Sequence, residues 1–168
     1  MGKDQEIKDK AFYLKSNHLI VDVAEQLAEP ILRSPESRSY VSRIIQQGKK
    51  MKLMESFLPG VEKMELIGYS PDQYQWAEIS EESIWKYFMQ KEMLYSNDPT
   101  LSDRFITDAP FSKFYLEVDK DSPGKIGVWF GWQIVNAFME NNDLTLQEMV
   151  GLDNEELFRN SKYKPKKK

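Results

Sequence analysis

The sequence of 168 residues is 40% hydrophobic and 30% charged, which is typical of one globular domain with a sizeable core. The net charge of -4 gives no reason to expect nucleic acid as a partner, and the absence of cysteine excludes disulfides, thiolate catalysis and cysteine-ligated metals. No apolar run approaches the roughly 20 residues of a membrane span, and residues 1–10 lack the apolar stretch of a signal peptide.

Helix-start signals recur along the chain. Four pairs place a capping side chain just before a proline at the first helical position. They are Ser34-Pro35, Ser70-Pro71, Asp98-Pro99 and Ser122-Pro123. Three further pairs have capping-box spacing: Ser70 and Gln73, Thr145 and Glu148, and Asp153 and Glu156.

Apolar residues at the helical period lie between these signals and predict eight helices. The helices are expected near residues 18–32, 35–57, 71–78, 81–95, 99–106, 123–141, 145–150 and 154–161. Residues 114–119 alternate in a way that suits a strand. The sequence therefore predicts a mainly α fold, a compact single domain of several helices that spans residues 1–168.

The last seven residues contain five lysines, on a chain whose overall charge is negative. A basic end of this kind is usually solvated. We therefore expect the tail at 162–168 to be loosely ordered, as well as the N-terminal segment at 1–16.

His18 is the only histidine, and it precedes Asp22 by four residues and Glu25 by seven. A helix from residue 18 would put these side chains near one face, so one interpretation is a hydrolase metal site completed by a carboxylate such as Glu82. A zinc hydrolase normally uses two histidines four residues apart, which one histidine cannot supply. The simpler interpretation is that His18 begins the helix and the carboxylates are solvated. We expect no metal and no other cofactor.

Adjacent carboxylates occur at Glu81-Glu82 and at Glu155-Glu156. Both pairs fall in the first turn of a predicted helix, where the helix dipole favours negative charge. Neither pair therefore predicts acid–base catalysis of the glycosidase type.

Three glycines, Gly124, Gly127 and Gly131, occupy one face of the helix predicted at 123–141. Each glycine inside a helix costs about 1 kcal/mol relative to alanine, so the bare face needs an explanation. One interpretation is close packing against a second helix backbone. The other is a groove, floored by glycine, that accepts a ligand or a partner.

Aromatic side chains would form the walls of that groove. At about 100° per residue, Trp129 and Trp132 share one flank of the glycine face, and Phe130 falls on the opposite flank. Trp85, from the aromatic stripe of another helix, completes the candidate groove.

The two most aromatic helices, near 81–95 and 123–141, are expected to pack on each other, because burying a large side chain contributes roughly 1.5–3 kcal/mol. Trp85 and Phe88 should then lie against the second helix. The expected contacts on that helix are Ile126, Phe130 or Ile134.

A long pattern of aromatic residues and glycines runs through 84-IWKYFMQKEMLYSNDPTLSDRFI-106, 110-PFSKFYLEVDKDSPGKIGVWFGWQIVNAFMENND-143 and 160-NSKYKPKK-167. It resembles the gliding-motility lipoprotein GldB family of Bacteroidota. The stretches 17-NHLIVDVAEQLAEPI-31 and 48-GKKMKLMESFLP-59 are similar to the same family, so the resemblance covers most of the chain.

The resemblance implies a cell-envelope lipoprotein that faces the periplasm and is required for gliding, in machinery connected with type IX secretion. Lipid attachment in the family uses an N-terminal cysteine, which this sequence lacks, so membrane association is expected only through an anchor absent from this chain. The family is also distantly similar to predicted zinc-dependent proteases. Because 19-LIVDVAEQLA-28 has no histidine pair, a related fold here would be a degenerate zincin-like one.

We therefore expect a non-catalytic envelope protein that binds other envelope or motility proteins, or a ligand. The alternative is a metal-dependent hydrolase, similar to a zinc peptidase, with an atypical or incomplete site at His18, Asp22 and Glu82.

Overall fold

The computed structural model describes residues 18–167. Its helices are α1 (18–28), α2 (Tyr40–Phe57), α3 (Lys63–Ile67), α4 (Pro71–Gln90), α5 (Thr100–Phe105), α6 (Ile126–Asn141), α7 (Leu146–Gly151) and α8 (Asn154–Ser161). Short 3₁₀ turns occur at Glu29–Ile31 and Glu117–Lys120. This part of the chain contains no β-strand, and the prediction of a mainly α single domain is confirmed. None of its helices combines the length and the apolar character that crossing a bilayer requires.

The pair formed by α2 and α6 is the centre of the fold. α6 is apolar along most of its length, and such a helix must be covered on several sides. Its most extensive contact is with α2, and α8 packs against both helices. The core of the described chain therefore lies around α6.

α4 reaches this central pair through long aromatic side chains. The rings of Trp85 and Phe130 are stacked with their centroids 5.7 Å apart, and Phe88 meets Phe130 edge-on at 5.4 Å. The predicted packing of Trp85 and Phe88 against the glycine-containing helix is confirmed, with Phe130 as the shared contact.

Two predicted helices, near 71–78 and 81–95, are one helix in the structure. α4 runs without interruption from Pro71 to Gln90, behind a capping box of Ser70 and Gln73. No glycine or proline separates the two predicted segments, so nothing stops the helix between them. The pair Glu81-Glu82 therefore lies in the middle of a helix, and its predicted place in a first turn is wrong.

The strand predicted at 114–119 is also wrong. The Asp119 carboxylate accepts hydrogen bonds from the N–H groups of Phe114 and Tyr115, at 2.9 and 3.0 Å. Tyr115 has a φ of 62°, in the left-handed region, and a 3₁₀ turn follows. The alternating pattern therefore belongs to a compact loop that its own aspartate folds back.

Two of the predicted serine caps are not used. α2 begins after Ser39 instead of Ser34, and the Ser39 hydroxyl accepts a hydrogen bond from the Ser42 N–H. α6 begins at Ile126, whose N–H donates to the Ser112 hydroxyl at 3.2 Å. Because Ser112 is fourteen residues upstream, no local pattern could have indicated this cap.

The C-terminal residues 162–167 lie beside α4. The Tyr163 hydroxyl donates to Glu81 Oε1 at 2.6 Å, and Lys167 Nζ lies 3.8 Å from Glu82 Oε1. The tail that we expected to be loose thus has definite contacts on α4. The expectation for residues 1–16 falls outside the described residues.

Candidate ligand-binding pocket

The glycine face of α6 is covered by protein. A Cβ atom added to Gly131 would fall on the carbonyl oxygen of Ile44 in α2, and one added to Gly48 of α2 would fall on the carbonyl oxygen of Gly131. A Cβ on Gly127 would lie 2.8 Å from the Phe105 carbonyl oxygen. Close helix packing is therefore what these glycines make possible.

Gly124 is also enclosed. A Cβ there would fall on the carbonyl oxygen of Ala109, in the loop before α6. Its own carbonyl accepts a hydrogen bond from the buried Tyr69 hydroxyl at 2.6 Å. The glycines thus provide no open floor for a groove, because helix and loop backbones occupy the space beside them.

Two of the three candidate tryptophans lie in the core. Trp129 is 1% exposed and Trp132 is fully buried. The Trp132 indole N–H donates to Glu55 Oε2 at 3.3 Å. Burial acts to raise the pKa of the Glu55 carboxyl, but Lys52, Lys63 and the hydrogen bond from Trp132 together lower it. Trp129 and Trp132 therefore help to hold α6 in place, and neither reaches an open surface.

Trp85 is the candidate residue that lines a cavity. This cavity, here called the aromatic pocket, has a volume of about 680 Å³ and opens to solvent. Its lining residues are Trp85, Phe88, Met89, Glu92, Leu94, Tyr95, Ser96, Phe158 and Tyr163. A mostly apolar concavity with a few polar groups is the usual form of a ligand site.

Three segments of the chain meet at the aromatic pocket. Trp85, Phe88 and Met89 project from one face of α4, because residues three and four apart share a helical face. The turn after α4 supplies the residues between 92 and 96, and Phe158 comes from α8. Tyr163 follows α8, so the pocket is complete only when the C-terminal tail is in place.

Three rings form one corner of the aromatic pocket. The Trp85 and Tyr163 centroids are 5.0 Å apart with an angle of 80° between the rings, and Trp85 and Phe158 are 6.1 Å apart at 61°. Edge-to-face pairs of this kind stabilise an arrangement by about 0.5–1.5 kcal/mol beyond the area that they bury. Trp85 also rests on Phe130 of the core, so the corner is firmly supported.

A buried carboxylate fixes Tyr163. Glu81 is 3% exposed, and burial raises the pKa of this carboxyl, while the hydrogen bonds from the Tyr163 hydroxyl and the Lys166 backbone N–H oppose that rise. Burial and the Glu81 charge both raise the pKa of the Tyr163 phenol. The phenol therefore stays protonated and donates to Glu81, one helical turn before Trp85.

The sequence indicated only some of the residues that line the aromatic pocket. The stripe of Trp85, Phe88 and Met89 follows the helical period, and Glu92 continues it one turn later. Tyr95, three residues after Glu92, fits the same spacing but reaches the pocket from the turn after α4. Phe158 and Tyr163 carry no such signal, because they reach the pocket only through the packing of α8 and the return of the tail.

A second cavity lies on the other side of α4. Its volume is about 490 Å³, and none of the described residues that line it is charged. The described lining residues are Trp76, Ser80, Ser83, Ile84, Tyr87, Gln90, Phe114, Leu116 and Val118. It offers an internal comparison for the aromatic pocket, since each cavity contains one half-buried tryptophan.

Comparison with known proteins gives the family. The sequence model of the gliding motility protein GldB matches residues 5–165. The chain belongs to the GldB family. No curated protein and no solved structure shows a significant similarity to it. The match to GldB spans all eight helices, so the aromatic pocket is built entirely from residues within the family region.

In this GldB-family chain, the residues of the alternative metal site do not come together. Between residues 18 and 167, no group of three or more histidine and carboxylate side chains could hold a metal ion. His18 and Asp22 are exposed on α1, whereas Glu82 lies on α4, 2.9 Å from Lys86 Nζ. The hydrogen bond from Lys86 lowers the pKa of the Glu82 carboxyl. The proposed grouping of His18, Asp22 and Glu82 is therefore wrong, and the structure gives no sign of a zincin-like site in this part of the chain.

Proposed function

We propose that this chain is a non-catalytic binding protein of the cell envelope that serves gliding motility. The match to the GldB family over residues 5–165 is the observation that carries this proposal. The family description names gliding motility, and its lipoprotein label supports a place in the envelope. We further propose that the chain is held as a periplasm-facing lipoprotein and works with machinery connected with type IX secretion.

The aromatic pocket is the proposed binding site for an envelope or motility protein. Aromatic residues are enriched at the centres of protein interfaces, where they fill pockets on the partner or form them. Met89 is 54% exposed and Tyr95 is 61% exposed, so large apolar side chains at the pocket remain open to solvent. Such side chains support a binding role because a partner can cover them.

Complementation of gliding tests the proposal. In a gliding bacterium that lacks its own copy of the gene, the wild-type chain with its native targeting segment should restore gliding. Trp85→Ala should reduce the gliding speed, because it removes one wall of the aromatic pocket. The matched control is Trp76→Ala, which removes a half-buried tryptophan from the opposite side of α4.

Protein levels must be compared by immunoblot, so that loss of folding is separated from loss of binding. Failure of the wild-type chain to restore gliding would contradict the role in motility. Equal gliding by Trp85→Ala and the wild type, at equal protein levels, would contradict the pocket as the binding site.

Site-specific photo-crosslinking tests the partner directly. A photoreactive residue at position 95, beside the aromatic pocket, should capture envelope or motility proteins. The same residue at position 79, where Ile79 is 56% exposed elsewhere on α4, is the control. Equal capture from both positions would contradict a partner at the pocket.

A further inference from the structure

The aromatic pocket combines ring faces with a single type of charge. Among its described lining residues, Glu92 is the one charged side chain. The other polar groups are the hydroxyls of Ser96 and of the two tyrosines, Tyr95 and Tyr163. Tyr95, also in the lining, is 61% exposed and leaves much of its ring accessible. Trp85, Phe158 and Tyr163, whose rings meet edge-to-face, are half-buried and add further aromatic surface to the pocket lining.

Glu92 has an unusual backbone conformation for its residue type. It follows the end of α4 with a φ of 52°, and its N–H donates to the Met89 carbonyl at 3.0 Å. Glycine is the usual residue where a helix ends in the left-handed conformation, since a side chain is disfavoured there. A glutamate in this place is a local departure from that preference, and it puts an exposed acidic residue in the lining of the pocket.

Ring faces carry partial negative charge, and a carboxylate carries a full one. Both attract cations, and a lysine or arginine head group over an aromatic face within about 6 Å gains a cation–π interaction. The aliphatic stem of the same side chain can lie along apolar surface such as Leu94 and Met89. An acidic or neutral polar side chain would gain no comparable attraction from the rings or the carboxylate.

We propose that the aromatic pocket binds a basic side chain, lysine or arginine, of a partner protein, with its head group between the rings and Glu92. This inference rests on the proposed binding function, because it specifies the chemistry of the partner at the same site. The cavity on the other side of α4 supplies a contrast, since its described lining also has aromatic side chains but no charged one, so a cation there would lack a carboxylate partner.

Titration of the full chain with capped dipeptides tests the proposal. The probes are acetyl-Leu-Arg-amide and acetyl-Leu-Lys-amide, with acetyl-Leu-Gln-amide as the neutral polar control and acetyl-Leu-Glu-amide as the acidic control. The readout is the indole N–H signal of Trp85 in a two-dimensional nitrogen–proton NMR spectrum. Trp85→Phe and Trp76→Phe variants assign the signals of the two half-buried tryptophans.

The arginine and lysine probes should shift the Trp85 signal in a saturable way and leave the Trp76 signal in place. The glutamine probe should bind at least about 3-fold more weakly, and the glutamate probe more weakly still. Glu92→Gln should weaken binding of the basic probes about 2- to 5-fold without changing the affinity for the glutamine probe. Glu36→Gln, which changes an exposed carboxylate outside the pocket lining, should leave every affinity unchanged.

Equal affinity for the arginine and glutamine probes would overturn the inference, as would the absence of any shift at Trp85. An unchanged affinity of Glu92→Gln for the basic probes would overturn the role of the carboxylate. Each of these results leaves the gliding test of the Trp85→Ala variant standing, because that test does not depend on the charge of the partner. Thermal unfolding of each variant confirms that the fold is retained.

Discussion

Gly48 of α2 lies directly against Gly131 of α6, with each glycine facing the backbone of the other helix. Side chains elsewhere keep helix axes about 8–10 Å apart, whereas facing glycines allow a closer approach. This contact explains why glycines persist on a helix face in spite of their cost to helix stability.

We therefore expect Gly131→Ala to lower the free energy of unfolding by about 1–3 kcal/mol or more, because its Cβ would fall on the Ile44 carbonyl oxygen. The matched control is Gly151→Ala at the end of α7, where a Cβ meets no atom within 4 Å. That substitution should be neutral or stabilise by about 0.5–1 kcal/mol. Urea unfolding of both variants gives the comparison, and equal stability of the two would show that α2 does not cover the face.

Ser112 links the loop before α6 to the start of that helix. It is fully buried, its hydroxyl donates to the Pro123 carbonyl at 2.7 Å, and the same hydroxyl accepts from the Ile126 N–H. Ser112→Ala removes the hydroxyl from both groups, although the Pro123 carbonyl still accepts from the Ser112 N–H at 3.1 Å. Because the Ile126 N–H loses this buried partner, we expect a loss of about 1–3 kcal/mol. Ser83→Ala, at an exposed site on α4, should change stability by less than about 0.5 kcal/mol. Chemical denaturation measures both, and a similarly small effect at Ser112 would contradict the long-range cap.

Glu92 provides a test of backbone strain. Glu92→Gly should raise the free energy of unfolding by about 1 kcal/mol relative to Glu92→Ala. Both variants remove the carboxylate, but only glycine adopts a φ of 52° without a steric cost. The comparison between the two variants isolates the conformational effect from the charge. Identical thermal unfolding of the two would argue against strain at this position.

The buried amine of Lys49 should make the free energy of unfolding rise with pH at alkaline pH. It is 2% exposed, and burial lowers the pKa of its amine to about 8 from 10.5, while its Nζ donates to the Leu152 carbonyl at 2.5 Å. The unfolded chain therefore binds more protons than the folded protein above pH 8, so the free energy of unfolding should increase with pH in this range. The rise is best measured between pH 8 and about 9, because tyrosines of the unfolded chain, with an ordinary pKa of 10.0, begin to lose protons above that range and oppose it.

The slope with pH should be smaller in Lys49→Met than in the wild type. Lys91→Met, at an exposed site, is the control and should retain the wild-type slope. If the unfolding free energy of Lys49→Met changed with pH as steeply as that of the wild type, the pH dependence would come from other groups.

The buried carboxyl of Glu81 should have the opposite effect at acidic pH, where it should make the free energy of unfolding fall as the pH rises. Burial raises the pKa of its carboxyl in the folded protein above the ordinary value of 4.5, so the folded state binds more protons there than the unfolded chain. Its stabilising contribution is complete below pH 4.5 and is lost as the pH rises through the raised value. Relative to Glu81→Gln, the wild type should therefore lose stability between acidic and neutral pH. Parallel curves of unfolding free energy against pH would contradict this.

The sequence allowed most of the helices to be predicted, although α3 was missed and α4 was expected as two helices. It also predicted the contact of Trp85 and Phe88 with Phe130, because that contact follows from periodicity and the burial of large side chains. The start of α6 could not be predicted, since its cap comes from Ser112 in a loop fourteen residues away. Local capping rules consider residues three apart in the sequence, so they cannot detect a partner in a distant loop.

The candidate site, like the fold, could be predicted from the sequence only in part. Trp85 stands on a periodic stripe and was among the predicted binding residues, whereas Gly131 and Trp132 were expected at a groove and lie in the core. Whether a bare helix face is open or covered depends on Gly48, whose role becomes visible only when α2 crosses α6. The position of Tyr163 likewise depends on the buried carboxylate of Glu81, which a pattern of charges along the chain cannot distinguish from a solvated one.

The docking of Tyr163 on Glu81 has a practical consequence for work on this protein. A chain shortened after Ser161 would retain all eight helices and would resemble a harmless trimming of a basic end. It would nevertheless lack a wall of the aromatic pocket and leave the Glu81 carboxylate without its phenol partner. Affinity tags that replace the tail, or proteolysis at its lysines during purification, would thus yield a protein with an incomplete aromatic pocket.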